Sequence, residues 1–230
     1  MRCFVLGGGV GSRMAPYTDV IPKCLLPVYS KPCVRWIVEH LLQQGLEDIV
    51  ICVNKPYEEL WKHEFRDLKV KFSITEKPCG TAGEILAVAH YIKGTFMLVY
   101  GDDLSFMDYK RLMRYHRLKK DAIGTLALTK KVPLEVGVAL TDGDRIKGFE
   151  EKPYLNLTTW TGVACLEQEI LSYLSVGADF AKDVFPSILQ HGRKLYAYCE
   201  NVEWLDIGSL MHYKKACEQA QRGELGKSSE

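Results

Sequence analysis

The chain of 230 residues has no apolar run near the roughly 18 residues of a membrane-spanning helix, and Met1 leads directly into an apolar segment without a signal peptide. A cytoplasmic protein is expected. Excess charge is missing as well: 30 basic and 29 acidic residues leave a net charge of +1, so no global field recruits nucleic acid or an anionic membrane surface. Its eight cysteines (3, 24, 33, 52, 79, 165, 199 and 217) stand singly and form no C-x-x-C pair. That spacing argues against a zinc ribbon or a disulfide framework and for free thiols in a reducing cytosol. The six histidines have no H-E-x-x-H or paired spacing, so they read as packing or surface residues rather than metal ligands. Internal repeats and linker-like stretches are absent too, and the length suffices to bury about 70% of the unfolded surface without staples.

What is present is an alternation of strand and helix signals. Residues 2–6 read as a first strand, followed by four glycines at 7, 8, 9 and 11 and by prolines at 16, 22, 27 and 32 that forbid a long helix there. A long helix is expected from Cys33, where Val34, Ile37, Val38, Leu41 and Leu42 share one face and Gly45 supplies a C-terminal cap. Strands follow at 48–53, 70–75 and 95–100, with a helix at 54–65 between the first two. Thr81 and Glu84 have the form of a capping box, predicting a helix over 82–92 whose N-terminus offers free N–H groups. After a helix at 108–119, with a basic and solvated face, the texture turns to β at 122–129, 136–141 and 145–153. The 142–144 Asp-Gly-Asp turn there signals a hairpin. A strand at 158–166, a short helix at 167–174, a helix at 179–190 split or kinked by Pro186, strands at 195–200 and 203–206 and a helix over 209–222 complete the chain. The expected architecture is one α/β domain over 1–222, with a nucleotide-binding half (1–121), an acceptor-binding half (122–222) and a frayed tail at 223–230.

Chemistry concentrates in the glycine loop. Glycines free to adopt positive φ can turn consecutive N–H groups toward one anion, and Arg13 and Lys23 add a planar fork and a point charge, a combination suited to phosphate. A plain strand-to-helix turn is the alternative. The dinucleotide fingerprint fails at Ser12 and Met14, where glycine would be needed, and neither a P-loop tripeptide nor a kinase H-R-D set occurs. Asp102, in Gly101-Asp102-Asp103, ends a buried strand where α/β sheets bind ligands. Asp206 ends a later strand and reads equally as an N-cap of the last helix, a role open to Ser209. Two such carboxylates would repel unless a cation stood between them, and Mg²⁺ takes one or two carboxylates plus substrate phosphates.

The run Leu6-Gly-Gly-Gly-Val-Gly-Ser-Arg13, with Pro16, Thr18, Pro22-Lys23, Leu25-Leu26-Pro27-Val28 and Lys31-Pro32, resembles the signature of the sugar-phosphate nucleotidylyltransferases. Gly80-Thr-Ala-Gly83, Gly101-Asp102, Phe149-Glu-Glu-Lys-Pro153, Thr161-Gly162, Lys182-Asp-Val-Phe-Pro186 and Trp204-Leu-Asp-Ile-Gly208 follow in the family's order, so the resemblance spans residues 2–216. It implies a Rossmann-like, mixed and mainly parallel sheet flanked by helices. It also implies Mg²⁺-dependent transfer of a nucleotidyl group from an NTP to a sugar 1-phosphate, making an NDP-sugar and pyrophosphate, and it allows a homo-oligomer. Carried over by motif, Leu6, Gly7, Gly8, Gly9, Gly11, Ser12, Gly80 and Thr81 would hold the nucleotide, with Gly80 leaving room for a flat ligand. Arg13 and Lys23 would hold the triphosphate, Asp102 and Asp206 the metal, and Gly137, Glu151, Lys152 and Thr161 the sugar phosphate. Arg13, Lys23, Asp102, Lys152 and Asp206 form the catalytic set. Gly7, Ser12, Cys24, Val136, Trp160 and Ala164 depart from the family's usual residues, the last two in the sugar pocket. A noncatalytic relative of the same fold and transfer to a phosphocholine-like acceptor are the rival readings.

Overall fold

The structure, a computed structural model, describes residues 1–130, 132–134, 136–155, 157–200, 202 and 204–226. Seven strands form the main sheet: β1 (Arg2–Leu6), β2 (Ile49–Asn54), β3 (Lys71–Thr75), β4 (Phe96–Tyr100), β5 (Ala122–Thr129), β6 (Thr159–Leu166) and β7 (Lys194–Cys199). Their spatial order is β7-β5-β6-β4-β1-β2-β3, and β6 alone runs antiparallel to its neighbours. The sheet is therefore mixed and mainly parallel, and it draws strands from both sides of residue 121.

Both faces of this sheet are covered, which is why its central strands read as continuous apolar runs. Along β1, Cys3 and Val5 point into a core shared with α1 (Cys33–Gln43), α2 (Glu58–Glu64), α4 (Tyr109–Leu118) and α6 (Leu210–Gln221). Phe4 and Leu6 point the other way, into a core shared with α3 (Gly80–Ala87) and α5 (Phe185–Gln190). The period-2 alternation of the strand thus meets two separate helical layers.

Local signals account for most helix ends. Gly45 takes φ 73° beyond α1, and its N–H bonds Leu42 O at 2.8 Å while that of Leu46 bonds Leu41 O at 3.0 Å, the paired closure of a Schellman motif. Over 179–190 the helix is split, with a π-helical turn at Phe180–Val184 preceding α5 and Pro186 in its first turn, where a missing N–H costs nothing. The helix expected over 82–92 ends sooner, tightening into a 3-10 turn at Ala89–Tyr91 that keeps Val88 and Ile92 in the core. Residues 227–230 of the expected frayed tail, and Glu203 of the expected 203–206 strand, lie outside the described residues. Residues 223–226 turn back, with Leu225 on the core and Gly226 so close to the Phe106 ring that a Cβ would stand 2.8 Å from it.

Strand order sets the position of the site. The connections from β1 through α1 and from β3 through α3 leave the sheet on opposite faces, so a crevice opens beyond the carboxyl ends of β1 and β4. Gly101 N–H donates to Leu6 O at 2.9 Å and closes these two ends together. A Cβ on Gly101 would sit 2.6 Å from that same oxygen, so only glycine permits the approach.

Candidate active site

The glycine loop leaves β1 into this crevice. Only Gly11 among its four glycines takes a positive φ, 68°, so conformational freedom is used once and the others serve close approach. A Cβ on Gly7 would stand 2.8 Å from the Trp61 ring, and one on Gly8 would stand 3.0 Å from both Asn54 and the Glu84 carboxyl. Gly9 meets nothing within 4 Å, and it is exposed with Val10, Ser12 and Arg13 while Leu6 is buried. A cavity of about 200 Å³ flanks the loop on the α2 side, lined by Gly7, Gly9, Val10, Asn54, Trp61 and Pro78 among others.

The charged residues converge at the mouth of the crevice. Lys23, from the 3-10 turn Lys23–Leu25, contacts the Asp102 carboxylate and lies 3.8 Å from Asp206 Oδ1. Arg13 Nη2 stands 3.6 Å from Asp206 Oδ2, with its side chain 73% exposed. These two aspartates meet because Trp204–Asp206 pairs antiparallel with Asp103–Ser105, and because Ile207 N–H donates to Asp102 O at 3.1 Å. Ser209 caps α6 by accepting from His212 N–H at 3.3 Å, which removes the rival reading of Asp206 as that cap. Burial pushes the Lys23 pKa down, but the charge and hydrogen bond of Asp102, with the charges of Cys24 and Asp206, carry it above its ordinary value. The lysine is a firmly held cation between two carboxylates.

Asp103 points the other way. Its carboxyl accepts from Trp204 Nε1 at 3.2 Å and fills the space that a side chain on Gly162 would need. Burial first, then the charges of Asp102 and Asp206, raise its pKa well above its ordinary value, which favours the protonated form behind the lysine–carboxylate contact. Asp102 and Asp206 form a hard oxygen donor set. Among the described residues no group of three or more His, Cys, Asp or Glu could hold a metal alone, so a divalent ion there would complete its shell with substrate oxygens, the usual manner of Mg²⁺.

On the nucleotide side the capping box does not form. Glu84 is drawn under the glycine loop, where Oε2 accepts from Gly8 N–H at 3.1 Å, and Thr81 Oγ1 donates to Asp179 Oδ2 and accepts from Phe180 N–H, each at 3.0 Å. The N-terminus of α3 is also closed in part, since Ala82 N–H donates to Ala178 O at 3.0 Å. Gly80, at φ 78°, makes room for protein backbone: a Cβ there would lie 2.6 Å from Ala178 O. The strap at 177–180 thus takes up α3 donors and space that had been expected to face a ligand.

Gly137, Glu151 and Lys152 gather at the foot of a hairpin, Gly137–Asp142 with Arg145–Glu151, in which Gly137 pairs Glu151. All three are exposed, and Lys152 holds a positive φ of 49°, uncommon for a non-glycine residue and suggestive of a functional constraint. Thr161 differs. It is buried and its hydroxyl donates to Ala127 O at 3.1 Å, so it offers main chain rather than side chain. Ala164 is packed in the core. Trp160 packs edge-on against both Tyr100 and Phe185, with its Nε1 donating to Val163 O at 2.8 Å.

Two polar residues of this region escaped the sequence reading: Asn54 and Glu84. Each is nearly buried, and each sits in or beside a predicted strand or helix whose local signal gave it an ordinary explanation. A charged residue inside an apolar helical stripe, as Glu84 is in Ala82-Gly-Glu-Ile85, was the available clue.

The model of the nucleotidyl transferase family matches residues 3–223. The UTP–glucose-1-phosphate uridylyltransferase of Synechocystis sp. is 31% identical over 99% of the chain, which spans 64% of that protein's length. The D-glycero-alpha-D-manno-heptose 1-phosphate guanylyltransferase of Campylobacter jejuni is also 31% identical, over 90% of the chain and 95% of its own length. Among solved structures, HddC from Yersinia pseudotuberculosis superposes with a TM-score of 0.76 at 24% identity, covering 95% of this chain and 99% of that one.

Proposed function

The chain belongs to the nucleotidyl transferase family, and on that basis we propose that it transfers a nucleotidyl group from a nucleoside triphosphate to a sugar 1-phosphate, forming an NDP-sugar and pyrophosphate. The observation that carries the proposal is the convergence of Lys23, Arg13, Asp102 and Asp206 beside an open glycine loop at the carboxyl end of the sheet. This set is what in-line substitution at phosphorus needs, namely fixed charge and position.

An oxygen of the sugar phosphate attacks the α-phosphorus, the bond from that phosphorus to the α,β-bridging oxygen breaks, and pyrophosphate leaves with the electron pair. A phosphate monoester has its second pKa near ~6, so the attacking oxygen is already largely deprotonated at neutral pH and no general base is required. Lys23 exchanges a carboxylate for a triphosphate oxygen, and the exposed Arg13 neutralises charge building toward pyrophosphate. The loop N–H groups from Gly9 onward cradle the phosphates, and the nucleoside end enters the cavity between loop and α2. Lys152 holds the acceptor phosphate in line, and Glu151, Gly137 and the main chain at Thr161 complete the sugar-phosphate site around it. Asp102 and Asp206 would hold Mg²⁺, which would supply charge neutralisation on the phosphates. The eight unbridged cysteines support a reducing, cytoplasmic setting.

The test is a matrix of nucleoside triphosphates against sugar 1-phosphates with Mg²⁺, read by pyrophosphate release. GTP with a heptose or mannose 1-phosphate and UTP with glucose 1-phosphate lead the panel, since relatives carry those names. Release with at least one pair is expected. Silence across the panel, with the protein folded, refutes the proposal.

A further inference from the structure

The glycine loop is held from beneath by two buried side chains, Glu84 and Asn54, the second of which also lines the cavity beside the loop. Glu84 Oε2 accepts from Gly8 N–H at 3.1 Å, and Asn54 Nδ2 donates to Gly8 O at 2.6 Å. Asn54 is itself fixed, because its Oδ1 accepts from Thr75 Oγ1 at 3.0 Å at the end of β3. Gly8 therefore has one side chain on each of the two peptide planes that flank it. A trans peptide is planar, with its N–H and C=O pointing opposite ways. Turning Gly8 C=O inward to Asn54 turns Gly9 N–H outward, and turning Gly8 N–H inward to Glu84 turns Gly7 C=O outward. Gly9 is where the loop becomes exposed, with nothing within 4 Å of the place its Cβ would occupy.

We propose that Glu84 and Asn54 are positioning residues that set the polarity of the glycine loop, aiming the Gly9 N–H at a phosphate oxygen of a bound nucleoside triphosphate and the Gly7 carbonyl at a hydrogen-bond donor of its nucleoside. The inference rests on the proposed nucleotidyl transfer and adds to it the residues that orient the cradle. It also gives Glu84 a charge requirement. An ionised carboxylate under the loop would repel the incoming triphosphate, whereas a neutral acid keeps the acceptor without the charge. Burial, against the pull of the Gly8 and Gly7 N–H groups and with the added charge of Asp102, pushes the Glu84 pKa up to about 8. The groups facing it are Asp102 at the end of β4, the Cys52 thiol of β2, the Cys79 thiol ahead of α3 and the Cys24 thiol beside Lys23. The three thiols have pKa values raised by burial. With its pKa at about 8, Glu84 is mostly protonated at pH 7 and mostly ionised at pH 9.

The experiment is calorimetric titration of the whole protein with each nucleoside triphosphate at pH 6.5, 7.5 and 9, for wild type, Glu84→Gln, Glu84→Ala and Asn54→Asp, with melting curves as the check on folding. Glutamine keeps an oxygen for Gly8 N–H and cannot ionise. Wild type should bind at least about threefold more weakly at pH 9 than at pH 6.5, while Glu84→Gln matches it at low pH and loses that part of the slope. Glu84→Ala leaves a buried donor unpaired, and Asn54→Asp sets a carboxylate against a carbonyl. Either should cost about tenfold or more in affinity at pH 6.5 in protein that still melts cooperatively. Equal slopes in wild type and Glu84→Gln, or unchanged affinity in Glu84→Ala and Asn54→Asp, overturn the inference while the transfer reading stands. No binding by wild type of any triphosphate at any pH removes the transfer reading and this inference together.

Discussion

Replacing Glu84 by glutamine should change how the stability of the unliganded protein depends on pH, and the size of the change can be worked from the structure. The carboxyl is 3% exposed, and burial raises its pKa from 4.5 to about 8. Because the folded-state value lies above the unfolded one, the unfolded chain releases this proton first. Glu84's contribution is full below about pH 4.5 and is lost progressively as pH rises to about 8, after which nothing further changes. Between pH 5 and pH 9 the linkage integral gives a loss of about 4 kcal/mol. For a domain of this size that corresponds to about 8–16 °C in melting temperature. Glutamine has no proton to lose. Melting curves of both proteins at pH 5, 6, 7, 8 and 9, taken as the difference between them at each pH, cancel every other titrating group. The variant should gain on wild type steadily to about pH 8 and then run parallel. Parallel behaviour across the whole range would mean that Glu84 is already ionised at pH 5 in the folded state, and the account of a neutral acid beneath the loop would be wrong.

Other consequences are open to direct measurement. Asp102→Asn should reduce pyrophosphate release by about 10²–10³-fold or more while leaving the melting temperature within a few degrees, since Asp206 remains 3.8 Å from Lys23; undiminished turnover would take Asp102 out of the site. Gly162→Ala forces a Cβ into the space held by the Asp103 carboxyl at φ 73°, and a loss of about 2 kcal/mol or more is expected in denaturant titration. In thiol titration of the native protein Cys199, the exposed cysteine, should react fastest, with Cys79 and Cys217 slower and the buried Cys3, Cys24, Cys33, Cys52 and Cys165 silent until unfolding. Nucleoside triphosphate with Mg²⁺ should slow the reaction of Cys79, which follows Pro78 of the cavity lining, and leave Cys199 unaffected.

Elements whose signals are local were readable in the sequence. The apolar face of α1 and its Gly45 stop, the Asp-Gly turn of the 137–151 hairpin and the division at Pro186 each depend on a few neighbouring residues, and each lies where its pattern places it. The capping box failed for the opposite reason. Thr81 and Glu84 have the right spacing, but Asp179, 98 residues away, outbids the helix for the threonine hydroxyl, and the glycine loop, 76 residues away, takes the Glu84 carboxyl. Local pattern gives way here to tertiary hydrogen bonding, because a buried carboxyl without a partner costs more than a missing helix cap.

The carboxylate pair extends this argument to the site. Asp102 and Asp206 each end a strand, but spacing alone could not bring them together, since their meeting depends on an antiparallel pairing of Trp204–Asp206 with Asp103–Ser105 across about a hundred residues of intervening chain. In that ribbon Asp103 lies opposite Asp206 while Asp102 turns out toward Lys23, so one position in the register decides which carboxyl meets the lysine and which is turned inward, where burial raises its pKa. The same inward turn recurs under the glycine loop, where burial raises the Glu84 pKa to about 8 beneath the exposed Gly9. Two buried acids with raised pKa values lie behind the cationic edge, where Arg13 and Lys23 meet the two carboxylates that a divalent ion would engage. On this arrangement the crevice should become more attractive to a polyphosphate as the pH falls from 9 toward 7 and Glu84 takes up its proton.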